Sequence, residues 1–267
     1  RWGHNLINII SNIDDDYQLS KLLSFYIISS MYLGKKVSIV FPAYNEEKNI
    51  AQAVKDFKAT KSVDEIIVVD NNSTDRTNDI AKKAGAKVVF EKKQGYGFAL
   101  RHGLKQANGD YIVLCEPDGT FSSQDLKTLL SQMNKYDLVI GTRTNKKFIG
   151  NGANMGFMLR YGNISVAKFM QFLFSTGNMS DCGCTFRVFK KIFVKKMLPY
   201  FTVGTSHFLP ETVVLTSILG GKILELPVHY NRRVGISKIT GSFRKSVKVG
   251  LNMILLILNY KLNPPKL

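Results

Sequence analysis

At 267 residues and 30.0 kDa the chain is long enough for one large domain or two small ones. Apolar residues at 45% and charged residues at 21% lie near globular averages, which excludes a disordered chain or a fibre. A formal net charge of +17, from 37 Lys and Arg against 20 Asp and Glu, calls for an anionic partner: phosphate, nucleic acid or an acidic membrane surface.

The charge is uneven. Residues 186–267 hold 14 Lys and Arg and only two acids, Glu211 and Glu225, so this part carries +12 and the first 185 residues carry +5. Three cysteines (Cys115, Cys182, Cys184) are too few for a disulfide scaffold, and Cys182-Gly183-Cys184 lacks the spacing of a zinc knuckle. A reduced, cytosolic setting is the simpler expectation. The chain opens with Arg1 rather than Met, which reads as a piece of a longer protein.

Residues 22–33 (LLSFYIISSMYL) are apolar but lack the positive start and cleavage site of a signal peptide, and read as a core or packing helix. Residues 36–41 (KVSIVF) form a β-branched run stopped by Pro42, a buried parallel strand. Residues 46–57 place Ile50, Val54 and Phe57 at helical spacing, with acids at the start to suit the helix dipole. A second strand at 64–69 (DEIIVV) runs into the polar cluster 70–75, and a short helix follows at 77–84. Residues 86–90 and 111–115 read as the third and fourth strands, with a helix at 98–107 between them. A helix at 123–134 puts Leu126, Leu129, Leu130 and Met133 on one face, and 137–140 (DLVI) is a fifth strand. This alternation is the pattern of βαβ units in a doubly wound, mostly parallel sheet flanked by helices.

At the far end, residues 249–258 (VGLNMILLIL) follow Arg244, Lys245 and Lys248 and precede Lys261. Basic flanks around a short apolar helix suit an element lying among lipid headgroups, and a core helix is the other reading. No apolar run reaches the ~20 residues that span a bilayer.

In such sheets ligands bind beyond the carboxyl ends of the strands. Polar clusters stand at four of those ends: residues 42–46, 70–75, 94–97 and 116–118. Asp70 can accept hydrogen bonds from a base or ribose, or cap the next helix. Glu116 and Asp118 flank Pro117, and two carboxylates at i and i+2 can meet one hard cation that also takes diphosphate oxygens. Gly95-Tyr96-Gly97 tempts a dinucleotide assignment, but it follows the third strand and position 100 is Leu, so G-x-G-x-x-G fails.

On these residues the sequence resembles the family 2 glycosyltransferases, with the GT-A nucleotide-sugar-binding fold. The stretches that carry it are VSIVFPAYNEEKNI (37–50), DEIIVVDNNSTDRT (64–77), QGYGFALRHG (94–103) and GDYIVLCEPDGTF (109–121). GTR (141–143), DCGCTFRVFKK (181–191) and RVGISKITG (233–241) are similar to the polyprenyl-phosphate branch, the dolichyl-phosphate mannose synthases among it. The resemblance implies an N-terminal helical extension at 1–35, a GT-A domain at 36–242 and a basic, amphipathic membrane-proximal helix at 243–267.

It also implies roles. Pro42, Tyr44, Glu46, Asp70 and Gly95 would bind the nucleotide sugar, and Glu116 and Asp118 would hold Mg²⁺ or Mn²⁺. Arg143, Asp181 and Arg187 would face the reaction centre together with Asp118. Arg143, Arg233, Ser237 and Lys238 would bind the acceptor phosphate, with Arg160 a further candidate. Asp181 would serve as a base for a hydroxyl acceptor or orient Arg187. The first metal acid is Glu where Asp is usual, and Thr120 stands where many relatives carry Gln, which leaves a third ligand open. His102, His207 and His229 read as structural, and Glu211 as a helix N-terminal acid or a contact to the sugar.

The implied activity is an inverting transfer from a UDP- or GDP-sugar to a polyprenyl (dolichyl or undecaprenyl) phosphate. The place would be the cytoplasmic membrane face, peripherally bound, or the cytosolic face of an internal membrane. A phosphate monoester, with its second pKa near ~6, is already ionised and needs positioning rather than a base. A family 2 enzyme acting on a sugar or polysaccharide hydroxyl in cell-envelope glycan synthesis is the alternative. Nucleic-acid binding is not expected, since no RNP-like aromatic pattern, helix-turn-helix or zinc finger appears.

Overall fold

The structure is a computed structural model and describes residues 34–153, 156–234 and 243–266. The helix expected before residue 34, and Ser237 and Lys238, lie outside the described residues.

One seven-stranded sheet organises the chain, in the order β3-β2-β1-β4-β6-β5-β7. The strands are β1 (Val37–Ala43), β2 (Glu65–Asp70), β3 (Lys87–Phe90), β4 (Tyr111–Leu114), β5 (Leu138–Thr142), β6 (Arg187–Lys190) and β7 (Ile223–Pro227). The first five are those expected from periodicity. β1 pairs in parallel with β2 and β4, and all seven of its residues are buried, as its unbroken apolar run requires for a strand covered on both faces. β6 alone runs antiparallel, wedged between β4 and β5, and β7 closes the edge in parallel with β5.

The helices are α1 (Ile50–Ala59), α2 (Thr77–Lys83), α3 (Tyr96–Gln106), α4 (Asp125–Leu130), α5 (Phe157–Phe174), α6 (Lys191–Met197), α7 (Phe208–Ile218) and α8 (Phe243–Leu262). α1 buries Ile50, Val54 and Phe57, the face that the spacing predicts. It begins four residues later than expected: Asn49 and Ile50 donate backbone bonds to the Glu46 carbonyl in a turn, which leaves Glu46 on the rim of the sheet. α4 is only six residues long because the chain after Leu130 tightens into turns, with Met133 N–H donating to the Leu130 carbonyl.

α8 buries Ile257 and Tyr260, and the Tyr260 hydroxyl donates to the Tyr200 carbonyl (3.0 Å) and to Glu211 Oε1 (2.8 Å). Val247, Leu251, Leu255, Leu258 and Leu262 lie on its exposed side, three and four residues apart and so on one stripe. The core-helix reading of this segment therefore holds for its buried face. Among the described residues no helix is long and apolar enough to cross a membrane.

Candidate active site at the carboxyl ends of the strands

The four polar clusters meet at one rim because β1, β2, β3 and β4 are parallel and adjacent. Asp70, at the end of β2, is buried; Oδ1 accepts the Ser73 N–H (3.0 Å) and Oδ2 the Asn78 side-chain amide (3.1 Å). It thus organises the turn into α2 and keeps spare lone pairs. Asn71 is a partner the sequence reading missed. Its amide donates to the Glu91 (3.0 Å) and Lys93 (2.8 Å) carbonyls, and its Oδ1 accepts the Gly95 N–H (2.8 Å). That side chain ties the loop after β3 to the end of β2. Pro42 is buried within β1, while Tyr44 is exposed just beyond it.

Gly95 sits at φ +153°, and a Cβ there would collide with the Gly204 carbonyl oxygen. That oxygen accepts the N–H groups of Gly97 (3.0 Å) and Phe98 (3.2 Å), so the first turn of α3 is seated directly on the 203–205 loop. The glycines serve this close approach of two backbones.

Beyond β4 stand Glu116 and Asp118. Asp118 is fully buried, and its Oδ1 accepts the Thr120 N–H (3.0 Å) and hydroxyl (2.6 Å). Thr120 therefore holds Asp118 in place. Asp118 Oδ2 is buried and accepts no hydrogen bond, although Arg233 Nε lies 3.1 Å away as an ion-pair partner. The same guanidinium comes within 3.7 Å of Glu46 and 4.0 Å of Glu116. Its backbone neighbour Val234 donates to the Asp118 carbonyl (3.0 Å), which pins this segment across the acidic pair.

Glu116 Oε1 accepts hydroxyl bonds from Tyr96 (2.9 Å) and Thr185 (3.0 Å). Desolvation, and next the Asp118 charge, push the Glu116 carboxyl up to about 7, against the pull of Arg233 and the Tyr96 hydroxyl. Two hard carboxylates side by side, one with a buried oxygen that takes no hydrogen bond, suit a divalent cation. Among the described residues no group of three or more His, Cys, Asp and Glu is placed to hold a metal ion.

Asp181 is fully buried and grips Arg143 through Nε–Oδ2 (2.7 Å) and Nη2–Oδ1 (2.9 Å), a bidentate fork. It also accepts the Arg143 (3.1 Å) and Gly183 (3.1 Å) N–H groups. Burial works against the Arg143 charge, but the Asp181 carboxylate outweighs it and raises the guanidinium well above its ordinary value. The Arg143 guanidinium also lies 5.4 Å from the centre of the Tyr230 ring, in cation–π contact. Glu225 fixes the segment from behind, accepting the N–H groups of Ser180 (2.8 Å) and Asp181 (2.9 Å). Asp181 thus orients Arg143, not Arg187. Arg160, on α5, donates from Nε to the Thr144 carbonyl (2.8 Å) beside this fork.

Arg187 departs from the expectation that it faces the reaction centre. It is fully buried, and its guanidinium donates to the carbonyls of Cys182, Cys184 and Leu209 and to the Thr212 hydroxyl. Burial lowers it to about 10, so it stays charged at neutral pH among carbonyl dipoles. Because β6 runs antiparallel, Arg187 lies level with Leu114 at the carboxyl end of β4, but its side chain is buried against Leu209 and Thr212 of α7 instead of opening onto the rim.

His102, His207 and His229 take protein partners, namely Glu91 (3.0 Å), Thr205 (2.8 Å) and Asp125 (2.8 Å). Glu211 lies in the first turn of α7, as expected, and its buried carboxylate accepts bonds from Thr202, Val203 and Tyr260.

A mixed, mostly parallel sheet with a carboxylate pair after its fourth strand, crossed by Arg233, has the architecture of the GT-A fold. The sequence matches the family described as Glycosyl transferase family 2 over residues 38–198, and the chain belongs to that family. It is 28% identical over 233 residues to a dolichyl-phosphate hexose transferase of Haloferax volcanii, covering 86% of this chain and 98% of that protein. It is 30% identical over 208 residues to the low-salt glycan biosynthesis hexosyltransferase Agl6 of the same organism, covering 76% of this chain and 49% of that one. Among solved structures, glucosyl-3-phosphoglycerate synthase from Mycobacterium tuberculosis, in complex with Mn²⁺, uridine diphosphate and glucosyl-3-phosphoglycerate, superposes with a TM-score of 0.68. At 18% identity, over 90% of this chain and 84% of that one, the likeness shows the fold.

Proposed function

We propose that this protein is an inverting glycosyltransferase that moves a hexose from a UDP- or GDP-sugar to a polyprenyl phosphate at the cytoplasmic membrane face. The observation that carries this reading is the state of Asp181. Its carboxylate is buried and committed to Arg143 and two backbone N–H groups, so it is a poor base for a hydroxyl acceptor. An acceptor that arrives already ionised needs no base, and a phosphate monoester is one. The dolichyl-phosphate hexose transferase relative supports the same acceptor class.

In this reading Pro42, Tyr44, Glu46, Asp70 and Gly95 line the nucleotide pocket. Glu116 and Asp118 hold Mg²⁺ or Mn²⁺, as the Mn²⁺ and uridine diphosphate in the structural neighbour suggest by analogy. The metal supplies a Lewis acid that offsets charge on the leaving diphosphate. Arg143 and Arg233, with Ser237 and Lys238, present the acceptor phosphate. One acceptor oxygen attacks the anomeric carbon, the bond from that carbon to the diphosphate oxygen breaks, and the nucleoside diphosphate leaves with the electron pair. A single displacement of this kind inverts the anomeric configuration.

The exposed leucine stripe of α8 is the face assigned to the lipid surface, with the +12 of the second half drawing it to anionic headgroups. A Leu251→Asp, Leu255→Asp variant is expected to lose sedimentation with phosphatidylglycerol vesicles while keeping its melting temperature. Unchanged sedimentation removes α8 as the contact.

The acceptor class is tested by incubating the protein with Mn²⁺ or Mg²⁺, a panel of radiolabelled UDP- and GDP-sugars, and either a short polyprenyl phosphate or the matching polyprenol. Transfer to the phosphate alone is expected. Equal or greater transfer to the polyprenol overturns the reading.

A further inference from the structure

We infer that Tyr96 and Thr185 are positioning residues for the metal-binding carboxylate of Glu116, forming a two-hydroxyl clamp that lets a glutamate serve at this place. The inference rests on the metal role of Glu116 and Asp118 proposed above. Glu116 has one more rotatable bond than aspartate, so its carboxylate reaches further and loses more freedom when it is fixed. Two hydroxyls converge on the same oxygen, Tyr96 at 2.9 Å and Thr185 at 3.0 Å, and the hydroxyl oxygens are themselves 2.5 Å apart. Oε1 is thereby occupied by the protein, and Oε2 is the atom left on the side of Arg233. Asp118 is treated alike, with one oxygen held by Thr120 and the other without a hydrogen bond. Each carboxylate has one oxygen tied back by hydroxyl donors and the other facing Arg233, the arrangement a ligand pair needs if its orientation is fixed before the cation arrives.

Both hydroxyls stand on rigid supports. Tyr96 is the first residue of α3, between two glycines, and the adjoining N–H groups of Gly97 and Phe98 are bonded to the Gly204 carbonyl. Thr185 is buried and follows Cys184, whose carbonyl is held by Arg187 Nε (2.9 Å). The buried Arg187 thus acts at a distance: it fixes the loop that carries one half of the clamp.

The test measures Mn²⁺ binding to the full chain by the electron paramagnetic resonance signal of free Mn²⁺, with and without UDP. Tyr96→Phe and Thr185→Val each remove one hydroxyl, and each is expected to weaken Mn²⁺ binding about 10–100-fold. Thr185→Ser keeps the hydroxyl and is expected to bind within about threefold of the parent, taking the usual context spread of such effects as the margin. In a Glu116→Asp background the shorter acid no longer reaches the clamp, so Tyr96→Phe is expected to add nothing, a coupling that a merely structural tyrosine does not produce. Thermal melts identify any variant that has lost its fold. Parent-like Mn²⁺ affinity in folded Tyr96→Phe overturns the clamp. If the parent itself binds no Mn²⁺ with UDP present, the metal reading falls and the clamp with it.

Discussion

Asp118→Asn is expected to lose at least about 10³-fold in turnover while the protein stays folded, a loss equal to about 4 kcal/mol of transition-state stabilisation. Asparagine matches the shape of aspartate and can still accept the Thr120 N–H and hydroxyl bonds through its carbonyl. What it lacks is the charge of Oδ2, the buried atom with no hydrogen bond. Two opposed effects act on stability: the repulsion that raises Glu116 is relieved, and Arg233 loses its nearest carboxylate. A melting temperature within a few degrees of the parent is therefore expected alongside the lost activity. The readouts are sugar transfer at saturating Mn²⁺ and a thermal melt. Activity within tenfold of the parent sinks the metal role of this pair.

Arg187→Met is expected to behave in the opposite way and to fail in folding before it fails in chemistry. The guanidinium is fully buried and supplies donors to three carbonyls and one hydroxyl that have come out of water. Each acceptor left bare costs about 1–3 kcal/mol. Relaxation makes these costs less than additive, so a loss of at least about 3 kcal/mol is the expected sum. That is a large part of the about 5–15 kcal/mol by which a domain is stable. Chemical denaturation measures it. Arg187→Lys, which keeps one cation but not the planar fork, is expected to fall between the two. Folded Arg187→Lys should retain its KM for the lipid phosphate. A variant that melts like the parent but has lost acceptor binding would return Arg187 to the reaction centre.

The two arginines show where the sequence was legible. Arg143 and Arg187 both stand in short motifs next to apolar strands, and residue type alone makes each a candidate for a phosphate. Arg143 follows β5, at the end of a strand, and stays partly open to the rim. Arg187 opens β6, and β6 runs against its neighbours, so the start of that strand lies where the others end. Both arginines therefore stand at the same end of the sheet, and burial separates them: Arg187 is held by Leu209 and Thr212 of α7, a contact that no local pattern announces. Tyr96 and Thr185 went unread for a related reason. Tyr96 stands between two glycines at the start of α3, and Thr185 lies 89 residues away in sequence.

Strand periodicity, the punctuation at strand ends and the sign of the charge by themselves determined a nearly parallel α/β sheet, the rim where its polar residues gather, and the basic balance of the chain. These follow from the sequence because alternation, breakers and net charge act over a few residues or over the whole chain. Only the tertiary structure decided that Asp181 belongs to Arg143, that Arg187 is structural, that Arg233 lies across Glu116 and Asp118, and that two hydroxyls hold Glu116. A buried charge settles on whichever partner the fold brings within about 3 Å, and that distance depends on strand order, not on neighbours in sequence.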